Sequence, residues 1–114
     1  LDYWPLVDLR VHESFAEAEI EAKALTEQDH GRVADSWLFS GRASHSLFDQ
    51  RLQAGDALVF GKESVGLDEA LLESRCEQVL AIPTAGPVRS LNLSNSVSIA
   101  IYEGLRQNGL TQVI

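Results

Sequence analysis

The chain has a single cysteine, Cys76, so no disulfide can form within it. One thiol fits a reducing cytoplasm. No histidine lies near Cys76 in sequence to activate it, and it reads as a small, half-buried residue. The three histidines, His12, His30 and His45, are far apart and lack the spacing of metal ligands, so no metal site is expected. No apolar run approaches the ~20 residues needed to span a bilayer. No signal peptide, internal repeat or low-complexity tract is visible. Positive charge is scarce: 9 basic against 17 acidic residues leave a net charge of −8. That argues against a generic polyanion-binding domain. The deficit is local, however. Residues 1–30 hold eight acids and two bases, and the chain from Gln78 onward holds two arginines and one glutamate. A nucleic-acid surface toward the C-terminus survives this distribution.

What is present is ordinary for a globular chain: 114 residues, 45% hydrophobic and 23% charged. This is one domain with a sizeable core. It begins at Leu1, runs directly into ordered-looking sequence, and reads as a fragment with a segment missing upstream.

The spacing of Phe15, Ala18, Ala22 and Leu25 predicts an amphipathic helix over 14–25, capped by Ser14, with its glutamates on a solvated face. Residues 28–32 read as a polar turn. Trp37, Leu38 and Phe39 form a short apolar run that suits a buried strand, followed by a polar loop over 41–46. The run Ala57-Leu58-Val59-Phe60, stopped by Gly61, predicts a strand buried on both faces. A helix over 67–77 follows, with Leu67, Leu71 and Leu72 inward, then a strand over 79–82 ended by Pro83. The longest helix runs from about Leu91 to Gln107 and stops at Asn108-Gly109. Alternation of helix and strand predicts an α/β fold with a parallel sheet flanked by helices. In such sheets ligands gather at the carboxyl ends of the strands. The loops beginning at Gly41, Gly61 and Pro83 are therefore the places to look for chemistry.

The loop Phe60-Gly61-Lys62-Glu63-Ser64-Val65-Gly66-Leu67 is neither a Walker loop nor a dinucleotide fingerprint. Its glycines allow unusual backbone angles or the close approach of a ligand. On spacing alone it is also compatible with a plain strand-to-helix turn, with Glu63 as a surface residue or cap. The last helix carries small residues at Ser94, Ser96, Ser98, Ala100 and Gly104, which suits tight packing on the sheet. The backbone N–H groups around Ser90 to Asn92 would be available at its start for a carboxylate or another polar group.

Taken together, Leu58-Val59-Phe60-Gly61-x-Glu63-x-x-Gly66-Leu67, Ile82-Pro83 and Arg89-Ser90-Leu91-Asn92-Leu93-Ser94-Asn95 resemble the paired C-terminal motifs of the SPOUT class of methyltransferases. Within that class the chain is most similar to the tRNA ribose 2′-O-methyltransferases of the wobble cytidine or uridine. Leu1-Asp2-Tyr3-Trp4 and Val11-His12 resemble that subfamily's middle region, so the likeness covers nearly the whole chain.

The resemblance implies a C-terminal deep trefoil knot, a topology that most chains avoid. It implies S-adenosylmethionine held largely by backbone atoms and released as S-adenosylhomocysteine. By position, Trp37 and Leu38, Gly61, Glu63, Gly66, Ile82, Ser90 and Leu91 would line the cofactor site. Glu63, Ser90, Asn92 and Tyr102 would be the catalytic positions. Arg89 and Arg106 would contact the tRNA anticodon loop. The active unit would be a cytoplasmic homodimer, with the last helix at the interface and Tyr102 near the partner's site. In this subfamily an arginine of an upstream motif activates the ribose hydroxyl. No residue here matches it, so the chain by itself is expected to be catalytically incomplete. The competing reading is a non-catalytic α/β module that binds a small ligand or serves as a dimerisation scaffold.

Overall fold

The computed structural model describes residues 4–85, 87 and 91–109. Three α-helices flank a four-stranded sheet: α1 Phe15–His30, β1 Ser36–Phe39, β2 His45–Ser46, β3 Ala57–Val59, α2 Glu69–Ser74, β4 Val79–Ala81 and α3 Leu93–Gln107. Every described strand pairing is parallel, and the strand order is β2-β4-β1-β3. The last strand in sequence is thus inserted between two earlier ones.

Helix α1 starts where its cap predicts. The Ser14 hydroxyl accepts the Glu17 N–H at 3.2 Å, satisfying one orphan donor of the first turn. It continues through Gln28, Asp29 and His30, where a turn is expected, because none of these residues breaks a helix. Gly31, at φ 67°, ends it. Its apolar face is only half-buried. The one buried residue is Thr26, whose hydroxyl donates to the Gly55 carbonyl at 2.6 Å. Its glutamates are not all solvated, either. Glu19 receives a bidentate ion pair from Arg75, beyond α2, with the Nη2 contact at 2.7 Å.

Strands β1 and β4 lie inside the sheet and supply its buried residues: Trp37, Leu38, Val79 and Leu80. Leu47, Leu52 and Ala100 complete the core with Trp37 and Leu80. Strand β3 is half-buried rather than buried on both faces, because it takes an edge position. Strand β2 falls within the segment read as a loop. It has two residues, too few for any pattern, and it exists only through pairing with β4. The helix predicted over 67–77 is shorter, with a separate 3-10 turn at Cys76–Gln78, and Cys76 itself is exposed. On α3, Ala100 is buried and Gly104 packs beside Leu52, while Ser94 and Ser98 face solvent.

One buried carboxylate ties together the strand ends opposite the loops of interest. Asp56 accepts hydrogen bonds from the Trp37 indole at 3.0 Å, Arg32 at 2.8 Å, and the backbone N–H groups of Asp35 and Gln53. Burial pushes its pKa up, but these donors outweigh burial and hold the group below the ordinary carboxylate range.

Candidate functional site

A cleft of about 570 Å³ opens at the carboxyl ends of β1, β3 and β4. This is within the ordinary range for small-molecule sites. The chain runs from β1 to β2, crosses the sheet to β3 and returns over β1 to β4, and the cleft lies at the carboxyl ends of three of these parallel strands, where ligands gather in such sheets. Three loops form it. The first gives Phe39, Ser40, Gly41 and Arg42; the second runs from Phe60 through Leu67; the third gives Ile82, then Leu91, Asn92 and Leu93 at the start of α3. These are the loops that strand polarity points to in the sequence.

The second loop is folded back on itself. The Gly66 N–H donates to the Lys62 carbonyl at 2.8 Å, making a one-residue antiparallel bridge. A Cβ on Gly61 would lie 2.1 Å from the Gly66 carbonyl carbon and 2.4 Å from the Leu67 nitrogen. Gly61 therefore admits the loop's own backbone. Gly66 sits at φ 70° with open space where a Cβ would project, so its requirement is conformational. The floor between the first two loops is aromatic: Phe39 and Phe60 stack face to face, 4.5 Å between centroids and 7° from parallel. At the third loop, Asn92 caps α3, its Oδ1 accepting the Asn95 N–H at 2.8 Å.

Of the residues expected at the site, Gly61, Glu63, Gly66, Ile82, Leu91 and Asn92 all line this cleft. Trp37 and Leu38 do not. They are core residues, Leu38 with no exposed surface, and the strand reaches the cleft one residue later, at Phe39 and Ser40. Alternation along the strand carries that information only once its end is known. Tyr102 is 65% exposed on α3, away from the cleft lining. Arg106 gives both of its guanidinium contacts to Glu103, at 2.7 and 2.9 Å. Ser90 and Arg89 lie outside the described residues. The structure adds Arg42, Glu69 and Ser96 to the lining, along with Leu72 and Leu80. Only the Gly41 signal at a strand exit hinted at the first loop.

The carboxylates held furthest below their ordinary range are off the cleft. Hydrogen bonds from Arg75 bring Glu19 down to about 2, and those from Arg106 bring Glu103 down to about 2. Both mark structural ion pairs. Among the described residues, no group of three or more His, Cys, Asp and Glu side chains gathers as a metal site. No described helix is long and apolar enough to cross a membrane.

A parallel sheet flanked by helices, with a loop-built cleft at its carboxyl edge, places the chain among the open-sheet α/β proteins. Comparison with known proteins narrows the class. The SpoU rRNA Methylase family matches residues 1–102, and the chain belongs to that family. It is 41% identical over 110 residues to a tRNA (cytidine(34)-2'-O)-methyltransferase of Aeromonas hydrophila, covering 96% of this chain and 65% of the relative. It is 36% identical to the enzyme of the same name from Burkholderia pseudomallei, covering 96% and 66%. A solved structure concerned with 2-OH methylation of C/U34 on tRNA superposes with a TM-score of 0.78 at 48% identity, over 96% of this chain and 62% of that one. The SpoU methyltransferase AviRb of Streptomyces viridochromogenes, in complex with AdoMet, superposes with a TM-score of 0.68 at 26% identity, over 86% of this chain and 38% of that one. The chain spans about three fifths of the length of the curated relatives it matches.

Proposed function

We propose that the cleft binds S-adenosylmethionine, and that the protein carrying it methylates the ribose 2′-hydroxyl of the wobble cytidine or uridine in the tRNA anticodon loop. The observation that carries this reading is the meeting of the Gly61–Leu67 loop, Ile82 and Leu91–Asn92 around one cleft in a chain of the SpoU family. The lining fits an adenosyl group. The stacked Phe39 and Phe60, with Ile82 and Leu91, offer apolar surface, and Ser40, Glu63 and Asn92 offer polar atoms at its edge.

The cofactor supplies an activated methyl group on a good leaving group. What this chain's residues contribute is orientation and exclusion of water, and proximity of that kind is worth ~7–11 kcal/mol. Gly61 and Gly66 set the shape of the loop. Glu63, with its carboxylate exposed on the cleft, orients basic or polar groups beside the ribose. Asn92 fixes the start of α3, Leu91 lines the cleft just before it, and Ser90, outside the described residues, keeps the cofactor role that the resemblance implies. Arg89, also outside the described residues, keeps the RNA-contact role that the resemblance implies. The C-terminal trefoil knot belongs to this reading. So does a homodimer joined along α3, where Ile101 and Tyr102 are exposed. The reaction takes place where tRNA is, in the cytoplasm.

Calorimetric titration of the folded chain with S-adenosylhomocysteine tests the cofactor assignment. Saturable one-site binding is expected, and a folded chain that binds none would refute it. Methyl transfer is assayed with the gene product that carries this sequence. A ribose methyl group found at a tRNA position other than the wobble nucleotide would overturn the substrate assignment.

A further inference from the structure

We infer that Arg42 and Lys62, the two cations lining the cleft among the described residues, are phosphate contacts that seat the RNA strand, and that Glu69 pairs with Arg42 until RNA arrives. The inference rests on the cofactor reading above and names the contacts of its substrate. Four of the other arginines described are committed to carboxylates: Arg10 to Asp8 and Glu21, Arg32 to Asp56, Arg75 to Glu19, and Arg106 to Glu103. Arg51 donates to the Gln107 carbonyl at 3.0 Å. Arg42 differs in place and in commitment. It lines the cleft, and its pair with Glu69, 2.8 Å long, has both side chains largely in water, 84% and 75% exposed. A pair so exposed contributes little and is readily exchanged for another anion.

The backbone that carries Arg42 is nevertheless held. The Ser40 hydroxyl accepts the Arg42 N–H at 3.2 Å, and Ser40 also accepts the Ala43 N–H through its carbonyl. Lys62 stands on the second loop, held at its backbone by the bridge to Gly66. The two cations therefore rise from two different loops that border the same cleft. A chain of net charge −8 repels a polyanion at long range. Productive docking then depends on a local pair of cations beside the methyl-transfer site. Glu69 competes with phosphate for Arg42, which makes the sign of its effect specific.

The test uses the full chain and an unmodified tRNA transcript, with binding followed over a series of salt concentrations. Arg42→Gln and Lys62→Gln are each expected to weaken tRNA binding about three- to tenfold and to reduce the salt slope by roughly 0.7–0.9. Glu69→Gln is expected to strengthen tRNA binding. S-adenosylhomocysteine is titrated in parallel. Loss of its affinity in Arg42→Gln would overturn the inference by placing the guanidinium on the cofactor carboxylate. Unaltered tRNA affinity in both lysine and arginine variants would overturn it too, as would failure of tRNA to bind a chain that binds S-adenosylhomocysteine. If the unaltered chain binds no S-adenosylhomocysteine, the cofactor reading itself fails, an outcome separate from these.

Discussion

The two glycines of the cleft loop should respond unequally to an added side chain. At Gly61 the new Cβ would stand 2.1 Å from the Gly66 carbonyl carbon, where contacts below 3.0 Å do not occur in real Cβ atoms. Backbone must retreat by about 1 Å, and both obstructing groups are main chain, so no side chain can swing away. The retreat breaks the 2.8 Å bond from the Gly66 N–H to the Lys62 carbonyl. Losing that bond costs ~1 kcal/mol, and overpacking adds ~1–3 kcal/mol. If the cofactor wall is this loop, Gly61→Ala should lower S-adenosylhomocysteine affinity by about tenfold or more, ~1.4 kcal/mol or above. Gly66 is different. A Cβ there meets nothing within 4 Å, and the only cost is a left-handed backbone at φ 70°. That cost is ~1–2 kcal/mol for alanine and smaller for asparagine. Gly66→Asn should therefore keep affinity within about threefold, the smaller left-handed penalty. Calorimetry on the three chains, each checked for folding by circular dichroism, decides the matter. Wild-type affinity in Gly61→Ala, or equal damage from both substitutions, would refute the reasoning.

Further outcomes are expected elsewhere in the molecule. Leu38→Ala removes a fully buried side chain, so it should cost ~2–5 kcal/mol and lower the thermal midpoint by roughly 10 °C or more; S-adenosylhomocysteine affinity of the folded fraction should not change, and lost affinity at an unchanged midpoint would put Leu38 in the cofactor wall instead. Glu19 falls from an ordinary 4.5 to about 2 on pairing with Arg75. A lowered folded-state pKa contributes stability that is complete above the unfolded value and is lost as the pH falls through the folded one. The thermal midpoint should thus decline between pH 4.5 and 2, and Glu19→Gln should flatten part of that decline; an identical pH profile in the variant would show that the pair carries no such linkage. If the proposed homodimer joins along α3, where the Tyr102 ring is exposed, Tyr102→Ala should weaken self-association in sedimentation, and unaltered association would remove that residue from the proposed interface.

Local signals in this sequence are strong where one residue type has one physical use. Ser14 announces its helix because a short oxygen-bearing side chain satisfies the orphan N–H groups there, and Asn92 does the same for α3, which begins at Leu93, two residues after the start that spacing alone suggests. Gly31 ends α1 by adopting a backbone angle that side chains resist. The three apolar runs become strands, and the glycines and proline after them place the loops. The polar residues are legible in type but not in fate. Glu19, Asp56 and Glu103 look like solvated acids in sequence, and all three become largely buried partners of arginines distant by 56, 24 and 3 positions.

By itself, then, the chain determined its helices, its apolar strand runs, its parallel α/β class and the loops that border the cleft, because each follows largely from patterns within a few residues. Tertiary structure alone decided the insertion of β4 between β1 and β2, the existence of two-residue β2, and the edge position that leaves β3 half-buried. It also decided that the cleft begins at Phe39 rather than at Trp37 and Leu38, and that Gly61 is required by the loop's own backbone. These features depend on groups brought together across the sheet. No local pattern encodes a neighbour that sequence keeps far away.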